Sequence, residues 1–427
     1  MLGIILGLLV LMILAFRGWS VLWAAPIAAL IVALLNGIDL LGAYTVSYMH
    51  GLAGFLINWF PLFMLGAIFG RLMDYTGMAR SIAVGLSNLI GKKRAILAIV
   101  VSCAVMTYGG ISLFIVVFAI YPLALNMFRE ANISRRLMPA AIGLGAFCFT
   151  MTALPGSPQI QNLIPIPYFH TTALAGPVMG ITAAVIMAVF GYLYLIYRQN
   201  KLTTNGELFT EPKEEQESDI DETLPNVWIS LLPLALVLLS FNLLGFHIIA
   251  ALLCGIALIL VLSYKKFRGY IKAINEGAKD SLLAIMNTSA AVGFGAVVQS
   301  VPAFTDLANI LTDIPGTPLI SLAVTVNLLA GVTGSASGGL GIALTALGEQ
   351  YYEMALQTGI SPQAFHRVAT LSSGVLDLLP HNGVVLTMFA VTGLTHKECY
   401  KDLALTAIAI PLIALIVAIA LASLGIY

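Results

Sequence analysis

Two proline-containing segments carry polar groups suited to binding a small solute. The first break, residues 152–162, contains Pro155 and Pro158, and the second break, residues 379–383, contains Pro380. Each follows an apolar stretch, and proline removes a main-chain donor and ends a regular helix. We therefore predict two broken helices, with simple proline kinks as the alternative. The predicted substrate contacts at these breaks are Thr152, Gly156, Ser157, Gln159, Asn162, His381 and Asn382.

Two glycine- and serine-rich turns, Gly109–Ser112 (the first tip) and Gly334–Gly339 (the second tip), supply a further set of contacts. The apolar segments beside them are short for a hydrocarbon core of about 30 Å. We predict re-entrant hairpins, with short full crossings as the alternative, because irregular backbone inside a membrane needs protein or water to satisfy it. The flanking segments are 95–107 and 113–127, then 319–332 and 340–347. The predicted substrate contacts are Gly109, Gly110, Ser112, Ser335, Ser337 and Gly338.

Asp377 is the one full charge that we place deep in a membrane span, and His381 is the titratable base beside it. An ionisable residue inside a span is a functional hypothesis by default. Burial favours the neutral carboxyl group, so Asp377 or His381 is predicted to carry a coupling proton. The structural alternative is that Asp377 caps the broken helix or pairs with His381.

The tips and breaks contain no Lys or Arg, which limits the solutes that they suit. Helix N-termini attract anions through their free amides. A phosphate ester or a dianion would favour a bidentate arginine. The pattern therefore indicates one small carboxylate held by amides and hydroxyls. An intramembrane serine hydrolase using Ser337 and His381 is a weaker alternative.

The composition indicates that these residues are positioned by the helices of a membrane protein. The chain has 427 residues, of which 59% are hydrophobic and 9% charged, and its formal net charge is zero. Soluble domains typically have about 25% charged residues. A nucleic-acid-binding protein is excluded because no basic arm or net positive charge is present. The sequence predicts an all-α polytopic membrane protein.

An internal repeat at an offset of about 226 residues divides the chain. Gly51 corresponds to Gly277 and Pro155 to Pro380. We predict a first repeat over residues 1–200, an acidic cytoplasmic linker over 201–226 and a second repeat over 227–427. The acidic residues of the linker favour a solvated segment.

Lysine and arginine concentrate in cytoplasmic loops, which orients the chain. We assign Arg17, the linker and the basic clusters to the inside, with Arg367 as the exception; the clusters are Arg71–Arg94, Arg129–Arg136, Lys265–Lys279 and Lys397–Lys401. The assignment requires about five crossings in each half, both termini outside and two inverted repeats. Inverted repeats are typical of secondary transporters, whose substrate site lies near the midplane.

Three segments carry a resemblance to a known family: residues 334–338 with the nearby 343–345, residues 380–383, and residues 155–158. They resemble the gluconate permease (GntP) family of the ion transporter superfamily, over nearly the whole chain. The resemblance implies proton symport of gluconate, related sugar acids, D-serine or 3-hydroxybutyrate across the bacterial cytoplasmic (inner) membrane. It also implies a homodimer in which a mobile part moves against a scaffold by an elevator mechanism.

The sequence differs from the gluconate branch of that family at two places. That branch carries an acidic residue near the first hairpin and a histidine between the prolines of the first break. Here Gly109-Gly110 and Gly156-Ser157 occupy those places, which favours a smaller monocarboxylate such as 3-hydroxybutyrate. The prediction is a proton-coupled carboxylate symporter without enzymatic activity, cofactor or metal. Sodium coupling and an anion channel remain alternatives.

Overall fold

A computed structural model describes residues 2–91, 94–212, 224–312 and 314–427, without the side chains of residues 16, 307, 308, 311 and 312. These ranges are helical and contain no strand. The helices of the first half are Leu2–Phe16, Val21–Leu35, Leu40–Tyr75, Met78–Ile90, Ala95–Tyr108, Leu113–Glu130, Arg135–Ala153, Ile160–Leu163, Pro165–Phe169 and Pro177–Thr204. Those of the second half are Val227–Asn242, Ile248–Leu262, Tyr264–Ser300, Ala303–Thr312, Pro318–Thr333, Ala336–Thr358, Pro362–Ser373, Gly383–Thr392 and His396–Ser423.

Apolar composition makes many of these helices suited to a bilayer. Within the described residues, 6 helices are long and apolar enough to cross a membrane. Further apolar helices have only 10–17 residues, including the first arm of each predicted hairpin, Ala95–Tyr108 and Pro318–Thr333. At 1.5 Å per residue, such helices are shorter than a hydrocarbon core of about 30 Å. The all-helical membrane architecture expected from the composition is confirmed.

The two longest helices, Leu40–Tyr75 and Tyr264–Ser300, pack against each other through glycines. A Cβ on Gly51 would lie 2.5 Å from the Cβ of Ala296, and one on Gly277 would lie 2.8 Å from the Cα of Ile68. Small residues allow helix backbones to approach closely in a membrane. Gly51 lies nearer the start of the first helix and meets Ala296 near the end of the second, whereas Ile68, nearer the end of the first helix, meets Gly277 in the first half of the second. The two helices therefore run antiparallel.

The arms of the second hairpin, Pro318–Thr333 and Ala336–Thr358, touch directly beside their turn. A Cβ on Gly339 would lie 2.1 Å from the backbone nitrogen of Ala330. Gly334 ends the first arm with φ +60° and Ser335 begins the second, and glycine adopts this left-handed conformation without steric cost. The turn and the missing side chain together let the chain reverse direction within two residues.

The chain after the helix Pro177–Thr204 forms a strap, residues 205–212, over a basic loop. Arg129 donates to both carboxylate oxygens of Glu211, at 2.8 and 2.6 Å, and its guanidinium lies 5.7 Å from the ring centroid of Phe209. The Arg129 guanidinium also holds the pKa of the Glu211 carboxyl below its usual value. The predicted linker, residues 201–226, thus begins inside a helix and continues as this strap, while residues 213–223 lie outside the described residues.

We expect charge reversal to release the strap and a second reversal to restore it. Cysteines in place of Asn132 and Phe209 would report the contact, since the Asn132 side chain accepts a bond from the Phe209 backbone N–H. Arg129→Glu should lower the cross-linking yield through repulsion from Glu211, and adding Glu211→Arg should recover it. Equal yields in all three backgrounds would show that the ion pair does not hold the strap.

Candidate functional site

The first tip is fastened to the first break by side chains that reach main-chain carbonyls. The helix Arg135–Ala153 ends in a π-helical stretch, and helical structure resumes at Ile160. Between them the Gln159 side-chain amide donates to the Thr107 carbonyl at 2.7 Å. The Tyr108 hydroxyl donates to the Pro155 carbonyl at 2.9 Å. The tip and the break are therefore one connected unit.

The second tip is fastened to the second break in a similar way. The Asn382 side-chain amide donates to the Gly334 carbonyl at 2.9 Å, and its oxygen accepts from the backbone of Val384 and Val385 at 2.7 and 3.0 Å. Asn382 thus caps the helix Gly383–Thr392 while it holds the tip. The His381 ring lies over the tip, because a Cβ on Gly334 would be 2.8 Å from it.

The second break starts earlier than the sequence predicts. We expected helix through Leu378, but the helix Pro362–Ser373 ends before Gly374 and residues 374–382 are irregular. The physical reason is a close contact between the two halves of the chain at Gly374, where a Cβ would lie 2.6 Å from the Cγ2 of Thr152. The two breaks therefore touch where their helices end.

Asp377 lies in this irregular segment and is 4% exposed. Among the described residues, no group forms a hydrogen bond with its Oδ1. Thus one oxygen of Asp377 remains available at the junction of the two breaks.

The serines of the second tip bond with their surroundings. The Ser335 hydroxyl accepts from the Gly338 backbone N–H at 3.1 Å and lies 3.5 Å from the Ser337 hydroxyl. The Ser337 hydroxyl lies 3.3 Å from that of Thr288, on the helix Tyr264–Ser300. This row of hydroxyls resembles a polar binding surface more than the serine–histidine pair of a hydrolase.

The remaining predicted contacts of the first tip are closely packed. Gly109 leaves room for Leu234, whose Cδ2 would lie 2.2 Å from an added Cβ, and Gly110 with φ +95° lies against Pro158. Ser112 precedes the helix Leu113–Glu130 without capping it through its side chain. Its hydroxyl is thus not committed to the helix end.

Several predicted contacts of the first break use their polar groups internally. The Asn162 amide donates to the Ser157 and Ala173 carbonyls, both at 2.9 Å, and its oxygen is 3.3 Å from the His366 ring. The Thr152 hydroxyl donates to the Cys148 carbonyl at 3.2 Å. The Gly156 carbonyl accepts from the Asn242 amide at 3.0 Å. These groups hold the shape of the break.

Within the described residues, Asp377 is not the only buried full charge, because Arg367 and Asp402 are buried as well. Arg367, the one basic residue that we did not assign to the inside, is 0% exposed and donates to the Ala175 carbonyl at 3.0 and 2.6 Å. Asp402 accepts from Arg198 at 2.8 Å and from Tyr194 at 2.6 Å. Counting basic loops cannot detect an arginine whose partners are backbone carbonyls distant in sequence.

Two cavities lie away from the tips and breaks. One, of about 500 Å³, is lined by Arg268, Lys272 and Glu276, among others. The other, of about 180 Å³, is lined by residues that include Asp74 and Arg80. Both are lined by charged side chains at the ends of helices, which does not suit a midplane site, so the junction of the breaks remains the candidate.

Comparison with known proteins decides the family. The sequence model of the GntP family permeases matches residues 1–425. The chain belongs to the GntP permease family. It is 42% identical to YxjC, an uncharacterized transporter of Bacillus subtilis, over 94% of each chain. It is 26% identical to an uncharacterized transporter of Haemophilus influenzae, covering 82% of this chain and 80% of the relative. The resemblance carried by the tip and break motifs is confirmed.

Solved structures share the fold of this GntP permease at low sequence identity. The YdaH transporter of Alcanivorax borkumensis superposes with a TM-score of 0.58 at 15% identity, covering 87% of this chain and 86% of that chain. MtrF of Neisseria gonorrhoeae, described as illuminating a class of antimetabolite efflux pumps, gives 0.51 at 10% identity, covering 88% and 83%. These likenesses concern the fold alone.

Proposed function

We propose that this GntP permease is a proton-coupled symporter of a small organic monocarboxylate in the bacterial cytoplasmic membrane. A hydroxy acid such as 3-hydroxybutyrate, or a sugar acid such as gluconate, is the proposed substrate. The observation that carries the proposal is Asp377, a buried carboxylate at the junction of two helix breaks with one oxygen that no described residue bonds. Such a group in a membrane span can bind and release a proton as the site changes its exposure.

The carboxylate specificity is supported by helix N-termini at both tips and at the second break. Helices of 18, 23 and 10 residues begin after Ser112, Ser335 and Asn382. Their amide ends carry partial positive charge, which favours a bound anion. Transporters with discontinuous helices use such ends for anionic substrate groups.

The elevator mechanism and the inverted repeats are supported by the contacts of the long helices and the breaks. The antiparallel pair is packed by Gly51 and Gly277, which correspond under the repeat, as expected for two inverted halves. Each tip is hydrogen-bonded to its own break, so the two can move together. We propose that the long helices form the scaffold and that the hairpins and broken helices form the mobile part of a homodimer, with both termini outside.

Sodium coupling is a second candidate that one observation favours. The hydroxyls of Thr288, Ser335 and Ser337 form a row with neighbouring oxygens 3.3 and 3.5 Å apart. Oxygen ligands from hydroxyls and carbonyls suit a hard cation. In that case uptake would follow a sodium gradient and would not depend on Asp377.

The test uses purified protein in liposomes and four labelled solutes: 3-hydroxybutyrate, gluconate, lactate and D-serine. An inward proton gradient should drive accumulation of at least one monocarboxylate, and an inward sodium gradient should not. Electrical recording under the same conditions would reveal the large currents of an anion channel. Accumulation under sodium alone, or no accumulation of any carboxylate, would contradict the proposal.

Asn382→Ala should reduce uptake far more than a control cap substitution does, although the two should lower the free energy of unfolding by similar amounts. The change removes a helix cap, which costs about 1 kcal/mol, and also releases the Gly334 carbonyl of the second tip. Asn226→Ala is the matched control, because Asn226 caps the helix Val227–Asn242 without contacting a tip. Thermal unfolding and gradient-driven uptake should be measured on both. Equal uptake by the two variants would show that the Asn382–Gly334 contact has no role in transport.

A further inference from the structure

Arg367 carries a full positive charge inside the protein and is held by neutral groups. Its Nε and Nη2 donate to the Ala175 carbonyl, and its Nη1 to the Thr152 carbonyl at 3.4 Å. The Ala173 carbonyl and the Thr370 hydroxyl complete the set, at 3.4 and 3.5 Å. Within the described ranges no carboxylate forms an ion pair with Arg367. Carbonyl dipoles satisfy its donors, but they leave its net charge in place.

The chain around Arg367 is shaped to admit it. A Cβ on Gly176 would lie 2.9 Å from the Arg367 Cβ, and a Cβ on Gly180 would lie 3.1 Å from its Nε. Side chains at either position would push the guanidinium away from the carbonyls. The position of the charge beside the first break therefore depends on two glycines as well as on the arginine.

Several other arginines, including Arg71, Arg129 and Arg136, pair with carboxylates. Arg198 pairs with Asp402 at 2.8 Å. Arg135, which is buried like Arg367, donates to the Thr392 carbonyl and to the Glu211 carbonyl, both at 3.3 Å. The Glu211 carboxylate is close enough to Arg135 to interact with its charge. Arg135 therefore resembles Arg367 in its carbonyl contacts and differs from it in having an acidic neighbour.

We propose that Arg367 determines the specificity of this transporter for anions. The proposal rests on the proposed carboxylate site at the breaks, and it identifies the group that makes this site favour a negatively charged solute. Arg367 contacts the backbone of Thr152, which touches Gly374 where the two breaks meet. The guanidinium acts through space on a carboxylate at this junction, as a positioning and selecting charge, without donating a hydrogen bond to it. In a protein interior, where the effective dielectric constant is about 20, one charge about 10 Å away changes binding roughly tenfold.

The test compares a charged and an uncharged competitor of nearly the same shape. Counterflow of labelled 3-hydroxybutyrate into liposomes is measured with either unlabelled 3-hydroxybutyrate or its amide as the competitor. The preference is the ratio of the two concentrations that inhibit counterflow by half. The wild-type protein should prefer the carboxylate, and Arg367→Gln should reduce that preference roughly tenfold. Arg367→Lys should retain most of the preference. Arg135→Gln is the matched control, and it should keep the wild-type preference because Arg135 contacts the Thr392 and Glu211 carbonyls, which lie outside the two breaks.

A second variant protects the test against misfolding of Arg367→Gln. Thr370→Asp places a carboxylate beside the guanidinium and neutralises it without removing it, so the preference should fall by a similar factor. Folding is checked by a single symmetric peak in size-exclusion chromatography. If folded Arg367→Gln or Thr370→Asp protein keeps the wild-type preference, the inference about Arg367 is overturned and the proposed function is not affected. A wild-type protein that neither carboxylate nor amide inhibits would contradict the proposed function, and the inference with it.

Discussion

Asp377→Asn should abolish proton-driven uptake of the carboxylate while leaving substrate exchange measurable. Asparagine keeps the size of the side chain and mimics the protonated carboxyl group, but it cannot bind or release a proton. Net uptake requires the binding group to change its protonation during the cycle, whereas exchange of labelled for unlabelled substrate does not. Within the described residues, no basic side chain forms an ion pair with Asp377 and no group bonds its Oδ1, so the substitution breaks neither kind of contact.

Asp402→Asn is the informative comparison, because Asp402 is equally buried and is bonded to Arg198 and Tyr194. Removing one partner of a buried ion pair typically costs about 3–5 kcal/mol. We therefore expect a lower unfolding temperature for Asp402→Asn, with residual uptake still proton-driven. Proton-driven uptake by Asp377→Asn at the wild-type rate would refute the assigned role of Asp377.

Gly339→Ala should prevent stable assembly of the second hairpin. The added Cβ would lie 2.1 Å from the backbone nitrogen and 2.2 Å from the Cα of Ala330. Backbone atoms cannot move aside as a flexible side chain can, so the two arms must separate. Overpacking of a buried site typically lowers the free energy of unfolding by about 1–3 kcal/mol or more. We expect a loss at the upper end of this range for Gly339→Ala, because the added Cβ meets backbone atoms.

Gly66→Ala is the control for this change, since a Cβ at Gly66 would meet no atom of the described residues within 4 Å, apart from its own helix backbone and chain neighbours. Alanine favours helix over glycine by about 1 kcal/mol, so Gly66→Ala should be neutral or stabilising. The unfolding temperature and the yield of monodisperse protein should be measured for both variants in the same detergent. A Gly339→Ala protein as stable as the wild type would show that the arms do not pack as described.

The sequence predicts the helices well where a span is apolar along its whole length. The apolar pattern predicts helices over Leu2–Phe16 and Ile248–Tyr264. The first has these ends, and the second ends two residues earlier, at Leu262. The same signal misplaces the end of the helix Pro362–Ser373, because Gly374 faces Thr152 from the other half. A contact between residues more than 200 positions apart leaves no local pattern.

The candidate site was predictable in its composition and less so in its contacts. Proline and glycine marked the breaks and tips, and the structure joins Gln159 to Thr107 and Asn382 to Gly334. The sequence could not show that the amide of Asn162 is used internally. It also could not show that Arg367 is buried, since its partners are main-chain carbonyls, which every residue carries.

The most direct measurement of proton-coupled carboxylate transport is the internal pH of liposomes that contain the purified protein and a trapped pH dye, in sodium-free buffer. Adding external gluconate, which crosses a bare bilayer poorly, should acidify the lumen; 3-hydroxybutyrate should do so faster than in protein-free liposomes. Asp377→Asn liposomes should match the protein-free control. Uptake of the labelled carboxylate that requires sodium and leaves the internal pH unchanged would contradict the account.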